Sequence, residues 1–317
     1  MPTTIAASGL RKQYSGKTAL DDLDLDVESG SVHGLLGPNG AGKTTTVRIL
    51  STLLRFDAGS ARVAGFDVTT QERQVRASIG LAGQETTLDD VLTARQNLVY
   101  FGKLYHLPKP EARSRAEELL HQFDLSEVAD ASPKTFSGGM RRRLDLAASM
   151  IRAPKVLFLD EPTTGLDPGG RRDVWSAVEN LAHGGTTVLL TTHYLDEADR
   201  LCDQVSVVDN GRKVAEDSPT ALKRAIGGER LEVVATDPDD LPILSDIITT
   251  HTGQFVQIDE ERLRLSSGSN NPIRSLTAVA GDIREKNVDV ADFGLRRATL
   301  DEAFLTLTGD RSAGNAT

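Results

Sequence analysis

"GPNGAGKTTT", residues 37–46, sets three glycines, one lysine and three threonines in ten positions. The apolar-leaning run "SVHGLL" stands before it, and "TTTVRILSTLL", whose apolar spacing suits a helix, follows it. Gly37, Gly42, Lys43 and Thr44 satisfy the pattern G-x-x-x-x-G-K-[ST] in the strand, loop, helix context that pattern requires. Glycines let successive backbone N–H groups converge on an anion, and the helix that starts near Lys43 adds its positive end. The expectation is a loop of Gly37, Pro38, Asn39, Gly40, Ala41, Gly42, Lys43, Thr44 and Thr45 around a nucleotide's phosphates. Lys43 would reach the terminal phosphates and the Thr44 hydroxyl would bind Mg2+. An isolated glycine-rich turn has the same composition, so the rest of the chain must decide.

"KVLFLDEP" runs through four apolar residues to Asp160 and Glu161. A strand that delivers a carboxylate beside such a loop suits a magnesium nucleotide, with Asp160 holding the ion through its water shell. Glu161, one residue further, is placed to polarise the water that attacks the γ-phosphate, a role typically contributing about 10²- to 10⁴-fold in rate. "FSGGMRRRLDLAASMI" puts Ser137, Gly138 and Gly139 at the start of a long helix, a second anion site. If that helix lies beyond a helical insertion it cannot meet the loop of its own chain, and a second copy must supply it.

Composition sets the bounds. With 317 residues, 38% of them hydrophobic, the chain is long enough for two domains of about 150 residues. The single cysteine, Cys202, excludes an internal disulfide and reads as a buried structural thiol. "MPTTIAASGL" lacks a basic segment followed by an apolar one, so a reducing cytoplasm is expected. Even "DLPILSDIITT" falls short of the roughly 18 to 20 apolar residues that span a bilayer. A formal charge of −10 argues against extensive nucleic-acid binding. The compact basic cluster, Arg141 to Arg143, reads as a solvated helix face or as a contact to a partner or to the surroundings of the nucleotide.

"TTIAASGLRKQYSG" and "TALDDLDLDVESG" alternate as antiparallel strands do, and about residues 88–150 the pattern turns helical. "KVLFLD", "TTVLLTT" and "QVSVVDNG" read as buried parallel strands, so an α/β core carrying a helical insertion is predicted over residues 1–226. Past "AIGG" the order becomes βαββαβ, a ferredoxin-like arrangement over residues 229–309 with a regulatory or dimerisation role. It ends in a helix with Thr299 and Glu302 spaced as a capping box and an apolar face of Leu300, Ala303, Phe304 and Leu307. That face either completes the small domain's own core or meets a partner. Residues 310–317 read as a flexible tail.

The ordered set "GPNGAGKTT", Gln84 in "GLAGQETTL", "SGGM", "LFLDEP", "GLDP" and His193 in "TTHYLDEAD" resembles the nucleotide-binding subunit of an ABC transporter across about the first 225 residues. The resemblance implies a P-loop cassette with an antiparallel β subdomain and a helical subdomain. It further implies that two cassettes pair head to tail as a homodimer and sandwich two ATP molecules, each between one loop and the other chain's Ser-Gly-Gly segment. On that basis Tyr14 would stack on adenine, and Gln84 would contact Mg2+ with Thr44 and Asp160 and report to a separate transmembrane permease. His193 would touch the γ-phosphate beside Lys43 and Glu161, and Asp167 would lie at the cassette interface. The commonest family signature reads LSGGQ, whereas Phe136 and Met140 flank the Ser-Gly-Gly core here; Met140 would face the nucleotide without a glutamine's hydrogen bonds.

"FSGGMRRRLDLA" with the terminal "LDEAFLTLTG" resembles more narrowly the daunorubicin-resistance subfamily of exporters. That resemblance implies a peripheral ATPase at the cytoplasmic face of the cell membrane, powering outward movement of hydrophobic drugs or lipids. The alternative is a non-transport ABC ATPase in a soluble complex. Its usual long coiled coil between loop and signature finds no room in residues 44–136.

Overall fold

Three runs buried along their whole length form the centre of the fold in the computed structural model: β3 (Val32–Leu36), β7 (Val156–Asp160) and β8 (Thr187–Thr192). The structure describes residues 2–84, 86–225, 229–297 and 299–309. With β6 (Ile79–Ala82), β9 (Gln204–Asp209) and β10 (Arg212–Asp217) they make a sheet of order β10-β9-β3-β8-β7-β6. Every pairing in it is parallel except that of the edge strand β10 with β9. Strands covered on both faces read as continuous apolar runs rather than alternating ones, which is why β7, β8 and β9 stand out in the sequence.

A second sheet, of order β2-β1-β4-β5, joins β1 (Thr3–Tyr14), β2 (Lys17–Glu28), β4 (Ala58–Val63) and β5 (Phe66–Asp67) in antiparallel fashion. Its inward residues Ile5, Leu10, Leu23, Leu25, Ala61 and Val63 share one core with Val47 and Ile49 of α1 (Lys43–Leu50) and with Phe158 of β7. The glycine loop thus opens into a helix clamped between two sheets. Helices α2 (Glu72–Ser78), α6 (Pro168–His183) and α7 (Leu195–Leu201) complete this part. The helical insertion consists of α3 (Ala94–Leu104), α4 (Lys109–Gln122) and α5 (Gly138–Ser149). Thr93 and Gln96 start α3 with a reciprocal capping box.

The chain divides into two compact units, Met1–Ser218 and Pro219–Thr317. The expected boundary at 226 is therefore some residues late. Helix α8 (Pro219–Ala225) buries Leu222 and packs against α11 (Leu300–Gly309), which assigns it to the second unit. The rest of that unit runs β11 (Glu229–Ala235), α9 (Leu241–Thr252), β12 (Val256–Asp259), β13 (Arg264–Gly268), α10 (Pro272–Glu285) and β14 (Val290–Arg297). Its sheet has the order β12-β13-β11-β14 and is antiparallel throughout. Val233, Leu244, Ile248, Leu265 and Val279 form a core of its own under α9 and α10.

The capping box of α11 is present, Thr299 N donating to Glu302 Oε2 at 2.9 Å and Glu302 N to Thr299 Oγ1 at 3.3 Å. Leu300 and Ala303 are buried, and α11 packs against α8 of the same unit. The tail expected at 310–317 lies outside the described residues.

Candidate active site

The site begins where β3 gives way to α1. Gly37 is buried, and a Cβ there would meet Val208 O at 2.3 Å; at Gly42, with φ 108°, it would meet Leu20 Cδ2 at 2.6 Å and Ala19 O at 2.7 Å. Only glycine passes both points without moving a neighbouring strand. The curl brings the loop's carbonyls inward, and Lys43 Nζ donates to Gly37 O at 2.7 Å and Pro38 O at 3.1 Å. Lys43 is 5% exposed, and burial lowers its pKa from the ordinary lysine value against the opposing pull of Glu161 and Asp160. A desolvated ammonium gains most from an anion that replaces neutral acceptors. Asn39 and Gly40 stand exposed at the crest of the loop, while Ala41 is buried and holds Gly211 N through its carbonyl at 3.0 Å.

The strands β3, β8 and β7 end level, Leu36 pairing Thr192 and Thr191 pairing Asp160. This is the carboxyl edge of a parallel sheet, where α/β folds bind ligands. Asp160 Oδ1 accepts from Thr191 Oγ1 at 2.6 Å and from Thr44 Oγ1 at 3.1 Å. Glu161 turns off the strand with φ 50°, a left-handed conformation that costs a non-glycine residue about 1–3 kcal/mol and tends to mark functional turns. The turn carries its carboxylate to 3.7 Å from Lys43 Nζ and 3.3 Å from His193 Nδ1. His193 Nδ1 is buried, and although near Glu161 it makes no aligned hydrogen bond.

An open cleft of about 530 Å³ lies over the loop, lined by Tyr14, Lys17, Ala19, Asn39, Gly40, Gly42, Lys43, Thr44, Thr45, Gln84 and Glu161. Gln84 and Asp160 also share an adjoining hollow. A hydroxyl, a carboxylate and an amide oxygen are hard donors, a set that suits Mg2+ held jointly with phosphates. Lys17 and Ala19 were not singled out in the sequence. Ser15 (φ 43°) and Gly16 (φ 87°) form a two-residue turn with both φ positive, which seats Lys17 directly opposite Tyr14. That hairpin was the available signal.

Ser137, Gly138, Gly139 and Met140 do not line this cleft. Ser137 caps α5, accepting from Met140 N at 3.2 Å. Asp167 caps α6, accepting from Gly170 N at 3.1 Å, and a Cβ on Gly139 would lie 2.8 Å from Gly170 Cα. The glycines of the signature therefore also let two helix starts approach closely. The arginine cluster is not a solvated face. Arg141 binds Thr86 Oγ1 and Asp90, Arg143 binds the Phe123 and Asp124 carbonyls, and Arg142 is buried. Carbonyls and carboxylates on neighbouring segments, invisible to a helical-face reading, absorb all three.

The pattern of the ABC transporter family matches residues 20–164. The chain is 53% identical to a daunorubicin resistance ATP-binding protein of Streptomyces coeruleorubidus, over 97% of this chain and 96% of that protein. It is 45% identical to a doxorubicin resistance ATP-binding protein of Mycobacterium tuberculosis, over 96% and 94%. The chain belongs to the ABC transporter family of ATP-binding proteins. A solved subunit of an ABC transporter complex from Clostridium perfringens is 27% identical with a TM-score of 0.66, covering 71% of this chain and 94% of that one. That coverage corresponds in extent to the cassette alone. Family membership implies ATPase activity, and among the described residues no helix is long and apolar enough to cross a membrane.

Replacing Lys43 by alanine removes the glycine loop's buried cation while leaving Asp160 and Glu161 in place. With charge-assisted hydrogen bonds worth about 1.5–3 kcal/mol each, ATP affinity is expected to fall at least about tenfold. Titration with a fluorescent ATP analogue measures it, and parental affinity would remove Lys43 from the phosphate site.

Proposed function

We propose that the chain is the ATP-hydrolysing subunit of an exporter that moves hydrophobic drugs or lipids through a separate transmembrane permease, working as a homodimer at the cytoplasmic face of the membrane. The carrying observation is the convergence of Lys43, Glu161 and His193 within 3.7 Å contacts at the end of a buried parallel sheet. The relatives named for drug resistance support the exporter reading.

In this reading ATP lies in the cleft with adenine against Tyr14 and its phosphates along residues 37–45. Thr44, Asp160 and Gln84 would hold Mg2+, which neutralises phosphate charge. Lys43 exchanges its carbonyl acceptors for phosphate oxygens. Glu161 accepts a proton from the attacking water, and its strained backbone keeps the carboxylate aimed off the strand. His193, with Nδ1 towards Glu161, offers Nε2 to the γ-phosphate. Ser137, Gly138, Gly139 and Met140 of the second copy, with Asp167 nearby, close the site. The second unit, ferredoxin-like in its sheet order, would regulate or hold the pair.

Glu161→Gln keeps the shape of the site but removes the base. ATP binding is expected to persist, while hydrolysis falls by about 10²- to 10⁴-fold; turnover at the parental rate in a phosphate-release assay sinks the assignment. The shared site has its own test. Lys43→Ala and Ser137→Arg, each inactive alone, should regain one intact site per heterodimer when mixed. No recovered hydrolysis in a mixture shown to contain heterodimers counts against two chains sharing a site. A chain ending at Ser218 is expected to bind ATP but to pair poorly without nucleotide. Sedimentation equal to that of the full chain would leave the second unit without a pairing role.

A further inference from the structure

Arg142 and Asp145 stand one turn apart on α5 as an ion pair of 3.1 Å, with side chains only 6% and 3% exposed. Burial pushes the Asp145 carboxyl up and the Arg142 guanidinium down, and each partner opposes the other's shift. Such a pair is weak as a stabilising device, since desolvating both charges consumes most of their attraction. Its remaining atoms indicate what it does. Arg142 Nη1 donates to Gly83 O at 2.7 Å, and Nε donates to Pro162 O at 2.8 Å. Asp145 Oδ1 accepts from Thr87 N at 3.2 Å and Thr87 Oγ1 at 3.3 Å.

Gly83 and Thr87 bracket Gln84, and Pro162 directly follows Glu161. The same helix is capped by Ser137. We infer that the Arg142–Asp145 pair is a positioning device that ties the Gln84 segment, the Glu161 turn and the Ser137-capped helix into one body. A change at Gln84 then cannot occur without displacing the helix start presented to the second copy. Neither residue touches the cleft, so both act through the groups they hold. The inference rests on the ATPase reading above and adds residues that reading does not use.

The test uses the full chain carrying Arg142→Met with Asp145→Leu, which fills similar volume and removes both charges of the pair together. Affinity for a fluorescent ATP analogue should stay near parental and KM should not move. The kcat for ATP hydrolysis should fall by about tenfold or more, since a 1 Å misplacement of a catalytic group can cost about 10²-fold. Amide hydrogen exchange at Thr86 and Thr87 should quicken while exchange in β3 and β8 does not. A folded variant with parental kcat, or one whose core strands exchange faster in step with the loop, overturns the proposal. Should the double variant not fold, Arg142→Lys keeps the charge beside Asp145 but loses the planar fork that spans two carbonyls. It should show the same fall in kcat, and parental turnover there overturns the proposal equally. A parental chain inert towards ATP would instead defeat the ATPase reading. The exchange at Thr86 and Thr87, which needs no turnover, then decides for or against the clamp.

Discussion

Lys43 holds its ammonium at 5% exposure, against two loop carbonyls and a carboxylate 3.7 Å away. Burying a cation is expensive, and burial lowers its pKa against the opposing pull of Glu161 and Asp160. Much of the first unit can be understood as what makes that position tolerable. The glycines at 37 and 42 let the loop turn its carbonyls inward, and the level strand ends of β3, β8 and β7 bring Asp160 and Glu161 to the same edge. The core around Val47, Ile49 and Phe158 fixes α1 so that Lys43 and Thr44 cannot drift from them. An incoming phosphate would give the ammonium charged acceptors in place of the two loop carbonyls.

What could be seen in the sequence follows from which physical signals are local. The phosphate loop and the strands ending in Asp160 and Thr192 are legible because wholly buried parallel strands leave unbroken apolar runs and the turn chemistry is confined to glycines. Strands β4, β5 and β6 and helix α2 went unread. β4 is "AGSARV", with its first three residues exposed, and β6 is four residues long, so neither shows a period before tertiary pairing imposes one. Arg142 misled for a different reason. A run of three arginines looks solvated, and only the folded chain places the Pro162 and Gly83 carbonyls and the Asp145 carboxylate around one of them.

The second unit shows how a correct local reading can leave a functional question open. Thr299 and Glu302 predicted the cap of α11, since a capping box needs only residues three apart. Arg296 adds to it from β14, its Nη2 reaching Glu302 Oε1 at 2.7 Å and its Nε reaching Glu232 Oε2 at 2.7 Å. That network pins the start of the helix to the sheet, and the burial of Leu300 and Ala303 follows. The unit boundary moved for the same reason. α8 carries no signal of its own allegiance, and its partner α11 lies some eighty residues away in sequence.

The least local feature is the signature segment. Gly138 and Gly139 would serve an anion site by their N–H groups, yet glycine is also required at 139 because a Cβ there would lie 2.8 Å from Gly170 Cα, and Ser137 and Asp167 both act as helix caps. These roles are compatible because a capped helix start keeps its remaining N–H groups and its positive dipole end for an outside anion. This helix start is absent from the lining of its own chain's cleft, so under the proposed function its anion would be held elsewhere. On the proposed head-to-tail pairing, a second copy's cleft would provide such phosphates, and each chain's helix start would face the nucleotide held on the other chain's loop. In that arrangement neither chain closes its site alone. The clamp inferred for Arg142 and Asp145 would then matter more to the neighbouring site than to the chain that contains them.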